Sequence, residues 1–311
     1  GASLYDLDPG KRTWPVHYHT GNEEAVYVLD GDLTLYLGNG DERAERRFGP
    51  GDYVALPAGP AHAHELEATG DGTARFLVVS TMAEPDFTLL TESGKVHLIA
   101  GDPPGEYEDR YISRTLDFAA DVPYWDDDAS EESDESEDIP TASPDPYALI
   151  VSTAEMDWTD HDYADEGRES HRFRRKRVAR ETAGEKLGAS LYDVPAGKRT
   201  WLPHYHEGNA EAVYVLAGSG MATLGRERTS RRIAAGDYVA LPRGERGFHD
   251  VGAGDDGLEF LAVSTMYEPD ITVYPEDGKV GLYAGAAPGG EKSERSLSTY
   301  LDSDAEVNYW E

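Results

Sequence analysis

Two stretches of this 311-residue sequence are near copies of one another. GASLYDLDPGKRTWPVHYHTGNEEAVYVLDG at 1–31 returns as GASLYDVPAGKRTWLPHYHEGNAEAVYVLAG, 187 positions later. GDYVALPAG at 51–59 returns as GDYVALPRG at 236–244, STMAEPD at 80–86 as STMYEPD at 264–270, and SGKV at 93–96 as DGKV at 277–280. Even the ends correspond, DVPYW closing at Trp125 and EVNYW at Trp310. A tandem duplication of this kind confines the chain to two like domains, each long enough to bury its own core.

The sequence places the domains at 1–125 and 148–311. Residues 126–147 between them carry ten acidic residues, no basic ones and little to bury, which reads as a disordered tether. Residues 148–187 precede the second copy and have no counterpart before the first. Within them FRRKRVA at 173–179 reads as strand belonging to the second domain, and nine acidic against eight basic residues over 148–187 read as a salt-paired face. The first barrel then lacks strands that the second has. Its open edge calls for cover, from the tails ending at Trp125 and Trp310 or from a second copy in a homodimer with strand or tail exchange. The chain opens in mid-repeat without methionine, which implies a segment upstream.

The chain has 61 acidic and 28 basic residues, for a formal charge of −33, and 7 lysines against 21 arginines. Excess carboxylate with little lysine suits a cytoplasm of molar salt, as in haloarchaea, where screening relieves self-repulsion. Such a surface repels phosphate backbones, so nucleic acid is not an expected partner. No apolar run is long enough to span a bilayer, so neither is a membrane. The absence of cysteine removes disulfides, thiolate nucleophiles and Cys-type zinc sites.

Each copy is built from short β-branched runs such as AVYVL, YVALP and RFLVVST, punctuated by Gly, Pro, Asp and Asn. Strands at this spacing without helical periodicity predict an all-β barrel or sandwich. Asp30-Gly31 between two apolar runs predicts a hairpin.

Seven of the ten histidines fall in two short windows of each copy. His17-Tyr18-His19 is followed by Glu24, and His204-Tyr205-His206 by Glu211. Residues two apart on a strand share a face, so each pair can point into a barrel. The later window holds His62 and His64 in one copy and His249 in the other, 38–40 residues beyond the glutamate. Two or three imidazoles with one carboxylate suit a transition-metal site whose remaining positions are filled by water.

These spacings resemble the cupin superfamily, as a two-domain bicupin. The resemblance rests on G-x6-H-x-H-x4-E-x6-G at 10–31 and 197–218, and on G-x5-P-x-G followed by histidine from Gly51 and Gly236. It covers nearly all of both repeats and implies two tandem jelly-roll barrels, each with a three-histidine, one-glutamate site. Carried over by position, the ligands are His17, His19 and Glu24, then His204, His206 and Glu211. The family's second motif selects His62, but its counterpart in the second copy is Gly247. Pairing the copies selects His64 and His249 instead, with His62 as a pocket residue or alternative ligand. The cofactor so implied is a divalent transition metal, Mn, Fe, Ni, Co or Zn, up to two per chain.

The remaining histidines, His97, His161 and His171, take loop or surface roles, and Glu23, opposite Ala210, is no ligand. Trp14 and Trp201 read as core rather than as pocket, and Phe248 points away from the ligands. A dioxygenase-like reaction on a small enol, catechol or keto acid is the first expectation. The alternatives are a non-catalytic metal or small-ligand binding or sensor protein, and an oxalate-decarboxylase-like lyase or an isomerase. Sugar-phosphate isomerisation would need a basic pocket, for which Arg12 and Arg199 are weak candidates.

Overall fold

A computed structural model describes residues 1–39, 43–101, 108–120 and 148–310, with Val122, Ile139 and Asp145. The expected tether at 126–147, apart from Ile139 and Asp145, and Trp125 lie outside the described residues. The chain divides into two compact units, Gly1–Ala154 with Thr182–Gly184, and Glu155–Glu181 with Glu185–Glu311. No helix among the described residues is long and apolar enough to cross a membrane.

The first unit holds β1 (Ala2–Leu7), β2 (His17–His19), β3 (Glu24–Asp30), β4 (Leu33–Leu37), β5 (Ala44–Phe48), β6 (Asp52–Leu56), β7 (His64–Ala68), β8 (Ala74–Ser80), β9 (Asp86–Leu90), β10 (Lys95–Ala100), β11 (Ile112–Asp117) and β12 (Ile150–Ser152). They form two antiparallel sheets, in the orders β1-β8-β3-β6-β12 and β11-β10-β9-β2-β7-β4-β5. Val26, Val54 and Phe76 from one sheet meet Leu33, Leu35 and Leu66 from the other in one buried cluster. Because alternate residues of a strand face the core, that cluster fills the space between the sheets of a jelly roll.

The second unit holds β13 (Thr159–Asp162), β14 (Arg172–Lys176), β15 (Leu187–Val194), β16 (Tyr205–His206), β17 (Glu211–Leu224), β18 (Thr229–Ala234), β19 (Tyr238–Leu241), β20 (His249–Thr265), β21 (Asp270–Tyr274), β22 (Lys279–Ala284) and β23 (Leu297–Asp302). Its larger sheet runs β13-β14-β15-β20-β17-β18 with β19 also on β17, and the smaller one β16-β21-β22-β23. The halves of β17 correspond to β3 and β4, and those of β20 to β7 and β8.

Two expectations change. Asp30-Gly31 makes no hairpin: β3 and β4 do not pair but lie in different sheets. The chain bends at Gly31, φ 76°, and passes from one sheet to the other. In the second copy Gly218, φ 77°, bends a single continuous strand at the same place. The segment 148–187, read as wholly part of the second domain, is divided. β12 pairs with β6 and covers that edge of the first barrel, while β13 and β14 extend the second beyond β15. The strand expected at FRRKRVA is β14. Trp310 does not cover an edge within its own unit, being 88% exposed.

A Cβ on Gly31 would stand 2.7 Å from the Ala74 Cα, whereas Gly10, also at positive φ, has open space around it. Gly10→Ala therefore bears only the left-handed backbone cost of about 1–2 kcal/mol. Gly31→Ala adds a backbone clash, and denaturant unfolding should show the larger loss of stability for it.

Candidate metal centres

In the first unit β2 presents His17 and His19 inward, and β7 begins at His64, the ladder partner of His17. The rings of His17 and His64 are 4.7 Å apart and those of His17 and His19 5.3 Å. Glu24 opens β3, in the facing sheet, so its carboxylate meets the imidazoles from across the barrel. Its Oε2 lies 3.7 Å from His19 Nε2 and 3.6 Å from His64 Nε2. One donor atom from each of His17, Glu24 and His64 falls within 4.8 Å of the other two.

The second unit repeats this. His204 bridges to His249, with rings 4.4 Å apart, and His206 is 5.1 Å from His204. Glu211 Oε2 is 3.7 Å from His206 Nε2 and 3.3 Å from His249 Nε2. Donors about 2.1 Å from a shared ion and at right angles to one another stand about 3 Å apart. The carboxylate-to-imidazole separations of 3.3–3.7 Å are somewhat wider than that spacing, and small side-chain shifts bring the donors onto one ion, so the residues fit a metal ion.

The outer nitrogens are all engaged. Nδ1 of His17, His64, His204 and His249 each donates to the carbonyl two residues earlier: Pro15 (2.8 Å), His62 (2.9 Å), Leu202 (2.6 Å) and Gly247 (2.9 Å). Nδ1 of His19 and His206 instead faces a carboxylate, Asp86 at 2.5 Å and Asp270 at 2.6 Å. The other oxygen of each aspartate accepts from a backbone N–H, of Gly21 (2.8 Å) and Gly208 (2.7 Å). A proton held on Nδ1 leaves the Nε2 lone pair facing inward.

Burial, then the neighbouring His64 and His19, pushes His17 down to about 3, and burial with His249 and His206 pushes His204 down as well. For His19 burial also acts downward, but Asp86 and Glu24 outweigh it and the net shift is up; His206 behaves alike with Glu211 and Asp270. Burial works to raise Glu24, and the surrounding imidazoles of His64, His19 and His17 bring it down to about 2 instead.

The eight expected site residues thus come together as two sets of four. His62 sits on the 3-10 turn Pro60–His62 with Nδ1 3.4 Å from the Ala58 carbonyl, whereas His64 is the histidine grouped with His17 and Glu24. What it contributes is its backbone carbonyl, which orients His64, and Gly247 supplies the same carbonyl to His249. This is why the side chain differs between copies while the geometry does not.

Asp86 and Asp270 escaped the sequence reading, although both stand in the repeated EPD segment. Arg12 pairs with Glu65 (2.7 Å) and Glu67 (2.9 Å), and Arg199 with Asp250 (2.7 Å), so these arginines are committed elsewhere. His97 hydrogen-bonds Thr115 (2.9 Å), and Phe248 is buried with Arg228 over its ring, as expected of them. Trp14 is 64% exposed rather than core. His161, His171 and Trp201 line a cavity of about 740 Å³ above the second cluster.

The model of the Cupin domain matches residues 3–80 and again 190–264. The chain is a bicupin. It is 26% identical over 234 residues to quercetin 2,3-dioxygenase of Bacillus subtilis, aligned over 74% of the bicupin and 63% of that enzyme, so it spans less than two thirds of that relative's length. Its fold is similar to oxalate decarboxylase of B. subtilis. One structure of that enzyme, studied for its Mn(II) centres, has TM-score 0.52 and 17% identity, covering 88% of the bicupin and 70% of that chain. Another, at pH 4.6, has TM-score 0.50 and 18% identity over 84% and 66%.

In the metal-free bicupin, His19 should titrate above the ordinary histidine value of about 6.5, as followed by NMR of its ring protons. Asp86→Asn removes the partner that raises it, so its titration midpoint should fall.

Proposed function

We propose that the bicupin is a metal-dependent enzyme holding one divalent transition metal in each barrel and acting on a small organic substrate in a dioxygenase-like reaction. The repeated set of three inward Nε2 donors and one carboxylate carries this reading. His17, His19, His64 and Glu24 would hold one ion; His204, His206, His249 and Glu211 would hold the other. Mixed nitrogen and oxygen donors with positions left open suit Mn, Fe, Co or Ni, and also Zn. Manganese is the first to test, given the Mn(II) centres of the structurally similar decarboxylase. When bound, the metal supplies Lewis-acid polarisation or oxygen activation.

The chain's own residues do the remainder. Asp86 and Asp270 keep His19 and His206 aligned, and the carbonyl anchors fix the other four rings, so donors need little rearrangement on binding. Glu24 and Glu211, the carboxylates among the imidazoles, stand where a carboxylate can also accept a substrate proton. The dioxygenase-like reading is favoured over oxalate-type decarboxylation because the cavity above His204, about 740 Å³ and lined by Trp201, Phe260 and Tyr274, is far larger than a two-carbon diacid needs. The likeness to quercetin 2,3-dioxygenase supports the same choice.

Elemental analysis of protein purified in high salt should give two equivalents of transition metal per chain. His204→Ala with His206→Ala should lose about half, and His64→Ala should empty the first barrel while His62→Ala does not. Absence of metal from the wild type after reconstitution would sink the reading. Metal affinity should fall as pH drops through the raised pKa of His19 and His206, about tenfold per pH unit for each proton displaced. Oxygen uptake with a panel of catechols, enols and flavonols then tests the reaction.

A further inference from the structure

The two metal clusters match, but their surroundings do not. Above the second cluster the cavity is walled by a run of aromatic rings that begins at a candidate ligand. Tyr274 stacks on His204 at 5.6 Å, Tyr300 lies 6.0 Å from Tyr274, and the Tyr283 hydroxyl donates to that of Tyr300 at 2.9 Å. Arg295 closes the run, 4.8 Å above the Tyr283 ring. Facing it are Trp201 and His161, which are 5.1 Å apart.

Aligning the repeats pairs Tyr274 with Leu90, Tyr283 with Ile99 and Tyr300 with Thr115, so the first barrel has none of this wall. β13 and β14, which carry His161 and Arg175, also have no counterpart beside β1, which edges its sheet among the described residues.

The charge of the cavity is the reverse of the chain's. In a protein of formal charge −33, the lining, among the described residues, holds six cations, Arg168, Arg175, Arg177, Lys279, Lys292 and Arg295, against the carboxylates Glu166 and Glu211. Arg168 is neutralised by Asp277 at 2.6 Å, and Arg175 is held by the Ser190 hydroxyl. Arg177 and Lys292 have no ion pair with any described residue. Burial and the positive neighbours Arg175, Arg180 and Arg295, of which Arg180 is itself paired with Glu291, press the Arg177 pKa down. Lys292 is exposed, but Arg175, Arg177 and Arg295 are half-buried, and bringing such like charges together is costly unless a ligand supplies the opposite charge. Flat aromatic walls with cations at one end suit a planar ring bearing an acidic group.

We propose that the second barrel is the substrate-binding half of the bicupin, and that its cavity takes a planar aromatic or unsaturated carboxylic acid, the ring along the tyrosine wall and the carboxylate at Arg177 and Lys292. The orientation directs the far end of the molecule to the His204 and Glu211 donors. For its catalytic meaning this rests on the proposed metal enzyme; the binding itself does not.

The test is calorimetric titration of the full chain, metal-loaded and chelator-treated, with 2-naphthoate, its neutral isostere 2-naphthylmethanol, and acetate. One 2-naphthoate should bind per chain, at least tenfold tighter than the alcohol and far tighter than acetate. Arg177→Gln with Lys292→Gln should weaken 2-naphthoate about tenfold or more and the alcohol less than twofold. Arg177→Lys, which keeps the charge, should recover most of the binding and guards against a fold defect. Trp201→Ala should weaken both ring probes, and Trp14→Ala in the first barrel neither.

Equal affinity for acid and alcohol, two sites per chain, or equal loss of both probes in the double variant would overturn the proposal. So would metal-loaded protein that ignores 2-naphthoate, leaving the metal reading intact. Charge-selective binding by a chain that takes up no metal would uphold this proposal and defeat the other.

Discussion

An imidazole can offer an electron pair to an ion only when its proton is kept on the other nitrogen, and everything else in these barrels serves that requirement. Four of the six ring protons go to a carbonyl two residues back along the chain, at 2.6–2.9 Å. The backbone leading into each strand thus orients the histidine that follows it. The remaining two go to Asp86 and Asp270, each fixed in turn by a glycine N–H. In the first barrel the glutamate comes from the sheet opposite its three histidines; in the second, Glu211 on β17 faces His206 on β16 from the other sheet but shares its own sheet with His249 on β20. The bends at Gly31 and Gly218 carry the glutamate's strand onward across the barrel.

The same arrangement explains the electrostatics of the donor set. Buried imidazoles without a carboxylate partner, His17 and His204, are driven neutral, while those bonded to aspartate hold their proton more firmly. Glu24 stays ionised because imidazoles surround it. Neutral imidazoles and an ionised carboxylate are the states a metal needs, and His19 and His206, whose pKa values are raised, hold the protons it must displace. Duplication preserved this inner architecture and let the periphery diverge: one barrel gained β12 at the β6 edge, the other β13, β14 and a wall of tyrosines.

Much of this was legible in the sequence, because H-x-H on a strand and a glutamate five residues later are local spacings, and the repeat showed each pattern twice. Comparing the copies also chose His64 over His62, since the histidine shared by both had to be the one facing inward. What stayed hidden depended on pairing across the sheet. Asp86 is 67 residues from His19, and nothing local marks it apart from its recurrence as Asp270. Asp30-Gly31 has the composition of a hairpin turn, yet the same positive-φ glycine serves equally to bend a strand between sheets. His161 looked peripheral and Trp201 looked like core, because their common cavity exists only once β13 lies beside β14 and the barrel is closed.

The central claim is that three Nε2 atoms and one carboxylate in each barrel form a metal centre. Anomalous scattering from crystals of the manganese-loaded chain, recorded on both sides of the metal absorption edge, tests it most directly. The account predicts two peaks per chain, one bounded by His17, His19, His64 and Glu24 and the other by His204, His206, His249 and Glu211, each approached through Nε2. A peak ligated by His62 in place of His64, or no peak between the sheets of either barrel, would contradict it.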